Sequence, residues 1–96
     1  HFYVFTDNPC WVKDNLPEFE YMLVDWNEVS GKRNFRDMQL MSCAKHNIIG
    51  NSTYSWWAAW LNANQDKIVV GPKRFFNPIN SFFSTCDIMC EDWISL

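Results

Sequence analysis

The sequence predicts an α/β fold built on a parallel sheet of about four strands with helices on both faces. Four short apolar runs of strand-forming residues occur along the 96 residues, and segments with helical spacing of apolar side chains separate them. Strands that alternate with helices need crossover connections, which favour a parallel sheet. The runs lack a clean apolar–polar alternation, as expected for strands that are covered on both sides. We therefore expect one three-layer domain over residues 1–96.

The first part of the chain predicts a strand, a helix and a second strand. Residues 2–6 are strand formers, and Asp7 or Asn8 can cap a helix at residues 9–16. A proline suits the first turn of this helix, and a second proline stops it. A second apolar strand follows at residues 21–25.

The second part predicts three helices and two strands. In chain order we expect a helix at 34–45, a strand at 47–50, a helix at 51–62, a strand at 67–71 and a short helix at 91–96. The helix at 51–62 carries Trp56, Trp57 and Trp60 and is apolar on nearly every face, so we expect it to be buried.

Composition excludes several classes of function. The net charge is −3, from eight basic and eleven acidic residues, which does not predict nucleic-acid binding. No run of about eighteen apolar residues predicts a membrane span. The four cysteines form no C-x-x-C pair and predict reduced thiols of a cytosolic protein rather than a zinc site. They are Cys10, Cys43, Cys86 and Cys90.

The best candidate for a site is the turn between the third strand and the tryptophan-rich helix. Ligands of open parallel sheets bind outside the carboxyl ends of the strands. Asn51, Ser52, Thr53 and Ser55 place one amide and three hydroxyls at a helix N-terminus, where unpaired N–H groups and the helix dipole favour an anion. The cluster could hold a diphosphate, or it could be a helix cap that binds nothing. Spacing alone leaves both open.

Two carboxylates have a similar ambiguity. Asp7 follows the first strand and is either a helix cap or a carboxylate that faces a substrate. Asp37, in the first turn of the second helix, either compensates the helix dipole or accepts hydrogen bonds from the edge of a base such as guanine. His46 lies at a helix–strand junction, where we expect a structural hydrogen bond. Trp56 and its neighbours could stack a sugar, although core packing is the more common role.

Residues 37–62 resemble the C-terminal signature of the α-1,2-fucosyltransferases, glycosyltransferase family eleven. The signature runs D-M-x-L-M-S-x-C-K-H-N-I-I-A-N-S-[ST]-F-S-W-W-G-A-W-L-N, and this chain reads D-M-Q-L-M-S-C-A-K-H-N-I-I-G-N-S-T-Y-S-W-W-A-A-W-L-N. Residues 5–16, F-T-D-N-P-C-W-V-K-D-N-L, are similar to the family's F-S-D-D-x-x-W-x-K-x-N-L. The segments K-I-V-V-G-P-K at 67–73 and D-W-I at 92–94 also fit, so the resemblance covers nearly the whole chain.

The resemblance implies that the chain is the C-terminal, donor-binding part of a larger enzyme, a Rossmann-like half of a GT-B-like glycosyltransferase. Such an enzyme transfers fucose from GDP-fucose to the 2-hydroxyl of a terminal galactose, with inversion and without an obligatory metal or cofactor. The implied partners are the nucleotide sugar, a glycan acceptor and an N-terminal half of the enzyme. Peripheral association of the full protein with a membrane is also implied, and nucleic acid is not.

The same resemblance implies roles for individual residues. The cluster of Asn51, Ser52, Thr53 and Ser55 would hold the diphosphate. Asp37 would face the guanine, and Asp7 would be a polar, catalytic residue of the active site. The predicted site therefore comprises six residues: Asp7, Asp37, Asn51, Ser52, Thr53 and Ser55.

The chain departs from the family pattern at several positions. Asn8 replaces an aspartate and cannot act as a base, whereas Gly50, Tyr54 and Ala58 are mild changes. The family's H-x-R-x-G-D-Y motif, whose arginine neutralises the leaving diphosphate, does not occur in these residues. Because loss of such a charge slows reactions strongly, we expect little or no transfer by the 96 residues alone. Two alternatives remain open, a fragment of another nucleotide-sugar glycosyltransferase and a non-catalytic binding module.

Overall fold

The computed structural model describes residues 1–28, 30–76 and 88–96. Their contacts divide the chain into two units, His1–Asp37 and Met38–Leu96. The elements in chain order are β1 (Phe2–Phe5), α1 (Pro9–Asn15), β2 (Tyr21–Val24), α2 (Phe35–Ser42), β3 (Asn47–Ile48), α3 (Thr53–Leu61), β4 (Val69–Gly71) and β5 (Ile94–Ser95). The α/β class, the parallel strands and the three helices up to residue 61 are as predicted. The boundary between the units falls within α2, and the assignment of one domain stays a prediction.

The first unit is a strand–helix–strand motif. β1 and β2 pair in parallel, with Phe2 opposite Tyr21 and Phe5 opposite Val24. Asn8 is the N-cap of α1, because its side chain accepts a hydrogen bond of 3.1 Å from the Trp11 N–H. The helix ends before Leu16, whose extended backbone is the conformation favoured before a proline.

The second unit is built on a parallel sheet in the order β3-β4-β5. Ile49, Ala59 and Val69 form its buried core, against which Trp56 and Trp93 pack. α3 supplies one wall of this core, since Ala58 and Ala59 have no exposed surface. Small residues on this face of the helix allow its backbone to approach the sheet closely.

The sheet prediction was partly wrong. The described residues form two parallel sheets, of two and three strands, instead of one sheet of about four. The expectation that both faces are covered also fails within this chain, because Phe2 and Tyr3 are exposed and Ile48 is 74% exposed. In a two-stranded sheet both strands are edge strands, so an apolar run does not by itself indicate burial on both sides. The three-layer, Rossmann-like arrangement stays a prediction.

The end of the chain forms a strand where a short helix was expected at residues 91–96. Backbone bonds join Leu96 N–H to the Gly71 carbonyl at 2.9 Å and Lys73 N–H to the Leu96 carbonyl at 2.6 Å. The edge of β4 offers these unpaired backbone groups, which a short apolar segment can satisfy by adding a strand. Such long-range pairing leaves no signal in local spacing, which explains the wrong prediction.

The prediction that α3 is buried was wrong on one face. Trp57 is 49% and Trp60 54% exposed, and Leu61 is exposed too. Only one side of the helix faces the sheet of the second unit, so its other apolar side chains lie on the surface of this chain. Within the described ranges, no helix combines the length and apolar character required to cross a bilayer.

Three hydrogen-bonded asparagines of the second unit, Asn47, Asn62 and Asn64, form a network that we call the asparagine ladder. Asn62, only 4% exposed, donates to the Ala44 carbonyl at 2.8 Å and to Asn47 Oδ1 at 2.7 Å, and its own Oδ1 accepts from the Asn64 N–H at 2.9 Å. Asn47 in turn donates to the Met41 carbonyl at 2.8 Å. Because buried amides are costly unless paired, this network fixes the loops that flank β3 and α3.

Lys67 stabilises the C-terminal end of α3. Its ammonium donates to the Ala59 carbonyl at 2.8 Å, the Asn62 carbonyl at 2.7 Å and, more weakly, the Trp60 carbonyl at 3.4 Å. The last carbonyls of a helix lack partners within it and carry the negative end of the helix dipole. A lysine from the following loop therefore provides both hydrogen bonds and opposite charge.

Candidate functional site

The turn that joins β3 to α3 presents polar side chains that make no hydrogen bond with residues 1–28, 30–76 or 88–96. Ser52 is the N-cap of α3 with an extended backbone, but its side chain makes no capping hydrogen bond. Asn51, Ser52 and Thr53 are exposed, and their side chains have no hydrogen-bond partner in the part of the chain that the structure describes. The alternative interpretation, in which these hydroxyls serve as a cap, is therefore wrong for Ser52.

The N-terminus of α3 is electrostatically suited to an anion. Its first turn contains no acidic residue, and the first intrahelical bond is donated by Trp56 N–H to the Ser52 carbonyl at 3.0 Å. The N–H groups of Thr53 and Ser55 precede that bond and have no acceptor within the helix. Lys67 compensates the opposite end of the dipole, while no side-chain charge from the first turn compensates this one.

Three consecutive side chains hold the turn in place. The Ser55 hydroxyl donates to the Ser52 carbonyl at 3.0 Å and lies 3.4 Å from the Gly50 carbonyl oxygen. The Tyr54 hydroxyl accepts a hydrogen bond of 2.9 Å from the Met38 N–H in α2. The indole Nε1 of Trp56 donates to the Ile88 carbonyl at 2.8 Å. Residues 54–56 thus anchor the turn, whereas residues 51–53 present their side chains to solvent.

Sequence reasoning missed the role of Tyr54. The exchange of phenylalanine for tyrosine was interpreted as mild, but the added hydroxyl has a partner 16 residues away. Spacing could not identify that partner, since it is a backbone N–H. Ser55 was predicted as a diphosphate ligand. In the structure its hydroxyl donates a hydrogen bond within the turn, to the Ser52 carbonyl.

The two predicted carboxylates belong to the first unit. Asp7 is exposed and follows β1, and capping of α1 falls to Asn8 rather than to Asp7. Asp37 lies in the first turn of α2 and accepts a hydrogen bond of 2.6 Å from Asn27 Nδ2 through its Oδ1 atom. Asn27 lies in a polar loop without a motif, so this contact could not be predicted from the sequence.

His46 has the structural hydrogen bond that was expected. Its Nδ1 atom accepts from the Ile68 N–H at 3.0 Å. This bond joins the start of β3 to the segment before β4. Within the described residues, no three His, Cys, Asp or Glu side chains come together in a way that could hold a metal ion.

The described cysteines, Cys10, Cys43 and Cys90, are free thiols, whereas Cys86 lies outside the described residues. Burial raises the pKa of the Cys90 thiol; the Lys67 charge opposes this effect and the Asp92 charge adds to it. A raised pKa lowers the thiolate fraction at any given pH, and the thiolate is the reactive form.

We therefore expect Cys90 to react several-fold more slowly with iodoacetamide at pH ~8 than Cys10 and Cys43, which are exposed. Peptide mapping by mass spectrometry over a time course measures the three rates separately. The lag should shrink as the pH rises and Cys90 ionises. Equal rates in the native chain would contradict the structure, and a urea-unfolded sample serves as the control in which the difference disappears.

Comparison with known proteins identifies relatives over the whole chain. The sequence model of Glycosyl transferase family 11 matches residues 1–96. The O-antigen biosynthesis glycosyltransferase WbnK of Escherichia coli is 43% identical over 94 residues, which are 97% of this chain and 29% of that protein. An alpha-1,2-colitosyltransferase of Escherichia coli is 36% identical over 97 aligned positions, 99% of this chain and 32% of that protein. The chain thus spans about a third of the length of these relatives. No solved structure gives a significant match.

Proposed function

Since the chain belongs to glycosyltransferase family 11, we propose that it is the donor-binding part of an inverting α-1,2-fucosyltransferase that uses GDP-fucose. One observation carries the proposal. Asn51, Ser52 and Thr53 present polar side chains at the positive end of α3, and these side chains make no hydrogen bond among the described residues. A helix N-terminus with added hydroxyl donors is suited to a diphosphate.

The chemistry of the proposed reaction requires negative charge to be stabilised on the leaving diphosphate. The hydroxyls of Ser52 and Thr53 and the amide of Asn51 would donate to phosphate oxygens, together with the N–H groups of Thr53 and Ser55. The Ser55 hydroxyl would maintain the shape of the turn, because its proton is directed to the Ser52 carbonyl. Hydrogen bonds that are in place before the reaction stabilise developing charge without reorganisation.

The two carboxylates have separate roles in this proposal. Asp37 would accept hydrogen bonds from the guanine edge through Oδ2, while Asn27 holds its Oδ1 atom. Asp7, exposed after β1, would be a polar residue of the active site. The glycan acceptor with a terminal galactose, an N-terminal half of the enzyme, a cytoplasmic location and peripheral membrane association of the full protein belong to the same proposal.

A second candidate is transfer of another sugar from its nucleotide. One relative is named for transfer of colitose rather than fucose, and it aligns with 99% of this chain. Every nucleoside diphosphate sugar carries the same diphosphate, so for such donors the proposed role of the β3–α3 turn is the same in both cases. Competition between donors that differ only in the sugar separates the two candidates.

Isothermal titration of the chain with GDP and with UDP tests the proposal. We expect selective binding of GDP, and a loss of at least tenfold in affinity for the Ser52→Ala/Thr53→Ala double variant. Hydrogen bonds to charged groups contribute about 1.5–3 kcal/mol each, and about 1.4 kcal/mol corresponds to a factor of ten. The matched control is Ser95→Ala, an exposed serine in β5 that should leave affinity unchanged.

Each outcome has a distinct meaning. Binding of neither nucleotide would contradict the proposal and favour a non-catalytic binding module. Selective binding of UDP would favour another nucleotide-sugar glycosyltransferase. Unchanged GDP affinity in the double variant would remove the β3–α3 turn from the site.

A further inference from the structure

We propose that Tyr54 is a positioning residue for the diphosphate turn, acting through its hydroxyl on the backbone of α2. The inference rests on the proposed function, because it assigns a role in binding to a residue that does not itself touch the donor. Tyr54 is not one of the proposed phosphate ligands at the N-terminus of α3, so this role is additional to theirs.

The contact joins the first turns of two helices. The Tyr54 hydroxyl accepts the Met38 N–H at 2.9 Å, and both residues are partly buried. Tyr54 directly follows Thr53, so its hydroxyl fixes the part of α3 that presents the proposed phosphate donors. A partly buried contact is shielded from water, which makes the geometry of this bond more restrictive than that of an exposed one.

The Tyr54–Met38 hydrogen bond has a role that the neighbouring hydrogen bonds of Ser55 and Trp56 do not have. Ser55 closes the turn locally, through the carbonyl of Ser52. Trp56 holds α3 to Ile88, near the end of the described chain. Among the hydrogen bonds of the described residues, only that of Tyr54 joins the first turn of α3 to α2. Removing its hydroxyl keeps the ring in place, together with the hydrogen bonds of Ser55 and Trp56.

Loss of the Tyr54 hydrogen bond should weaken the binding of phosphates, because the phosphate donors of the turn would no longer be pre-organised. Donors that fluctuate must be ordered when the anion binds, and that ordering opposes binding. A neutral hydrogen bond contributes about 0.5–1.5 kcal/mol, equivalent to a change in affinity of roughly two- to tenfold. The change should be confined to ligands that carry phosphates.

The test compares Tyr54→Phe with the unmodified chain. Titration with GDP and with inorganic pyrophosphate should show affinities that are lower by roughly two- to tenfold. Guanosine, followed by NMR titration so that weak binding is measurable, should bind equally to both. The matched control is Tyr21→Phe, which removes a hydroxyl from β2 and should change none of the three affinities. Hydrogen exchange should become faster at the Met38 amide, which loses its acceptor, and stay unchanged at Val69.

The outcomes separate the inference from the function on which it rests. If the unmodified chain binds no GDP, the proposed function fails, and this inference fails with it. If the chain binds GDP and Tyr54→Phe binds it equally well, the inference alone is overturned. An equal loss for guanosine and pyrophosphate, or faster exchange throughout the second unit, would indicate general destabilisation and would also overturn it.

Discussion

Replacing Trp56 with alanine should lower the free energy of unfolding of the second unit by about 3–5 kcal/mol, as is typical when a large aromatic side chain is removed from a core. The Trp56 ring lies 5.4 Å from the Trp60 ring in a stacked arrangement and 5.5 Å from the Trp93 ring. It also packs on the buried core and donates to the Ile88 carbonyl at 2.8 Å. Urea denaturation followed by far-UV circular dichroism measures the change.

The matched control is Trp57→Ala in the same helix. Trp57 is 49% exposed, so its removal should cost about 1 kcal/mol or less. Trp56→Phe removes the indole N–H and part of the ring but keeps an aromatic side chain, so it should cost less than Trp56→Ala; the lost hydrogen bond contributes about 1–2 kcal/mol. Equal effects of Trp56→Ala and Trp57→Ala would contradict the burial seen in the structure.

Replacing Asn62 with alanine should cost about 3 kcal/mol or more, because one buried and two partly buried groups lose their partner at once. The Ala44 carbonyl, Asn47 Oδ1 and the Asn64 N–H are all paired to the Asn62 side chain. For a domain whose total stability is about 5–15 kcal/mol, such a loss leaves a measurable unfolded population. The same denaturation experiment measures it.

Asn15→Ala provides the comparison for this second prediction. Asn15 also donates a hydrogen bond, to the Trp11 carbonyl at 2.9 Å, but on the exposed surface of α1. Water replaces an exposed partner readily, so we expect a change within about 0.5 kcal/mol. A similar cost for Asn15→Ala and Asn62→Ala would mean that the asparagine ladder is not buried in solution.

The elements that the sequence predicted well are those with local signals. α1 was placed to within one residue, because Asn8 and the prolines on either side define its start and stop. β5 was missed because its pairing partner, β4, lies more than twenty residues earlier in the chain. The burial of α3 was overestimated because an apolar sequence does not say how many faces have a partner.

The candidate site follows the same division. The order of residues along the chain predicted that the polar side chains of residues 51–53 lie at the start of α3, and the structure agrees. That order could not show that the Ser52 hydroxyl makes no capping hydrogen bond or that the Ser55 hydroxyl donates within the turn, because both depend on the backbone of the turn. The Tyr54–Met38 bond depends on the packing of two helices and is therefore visible only in three dimensions.

The way α3 ends affects which substitutions the next loop tolerates. Helices often finish on a glycine in the left-handed conformation, which makes that position intolerant of other residues. Here Lys67 supplies the terminal partners, and Asn62 has an extended backbone with φ −65°. No residue of the connection to β4 has a positive φ, so its backbone uses conformations open to any L-amino acid. Branched residues or a reporter group at Ala63 or Gln65, both exposed, should be accepted without backbone strain.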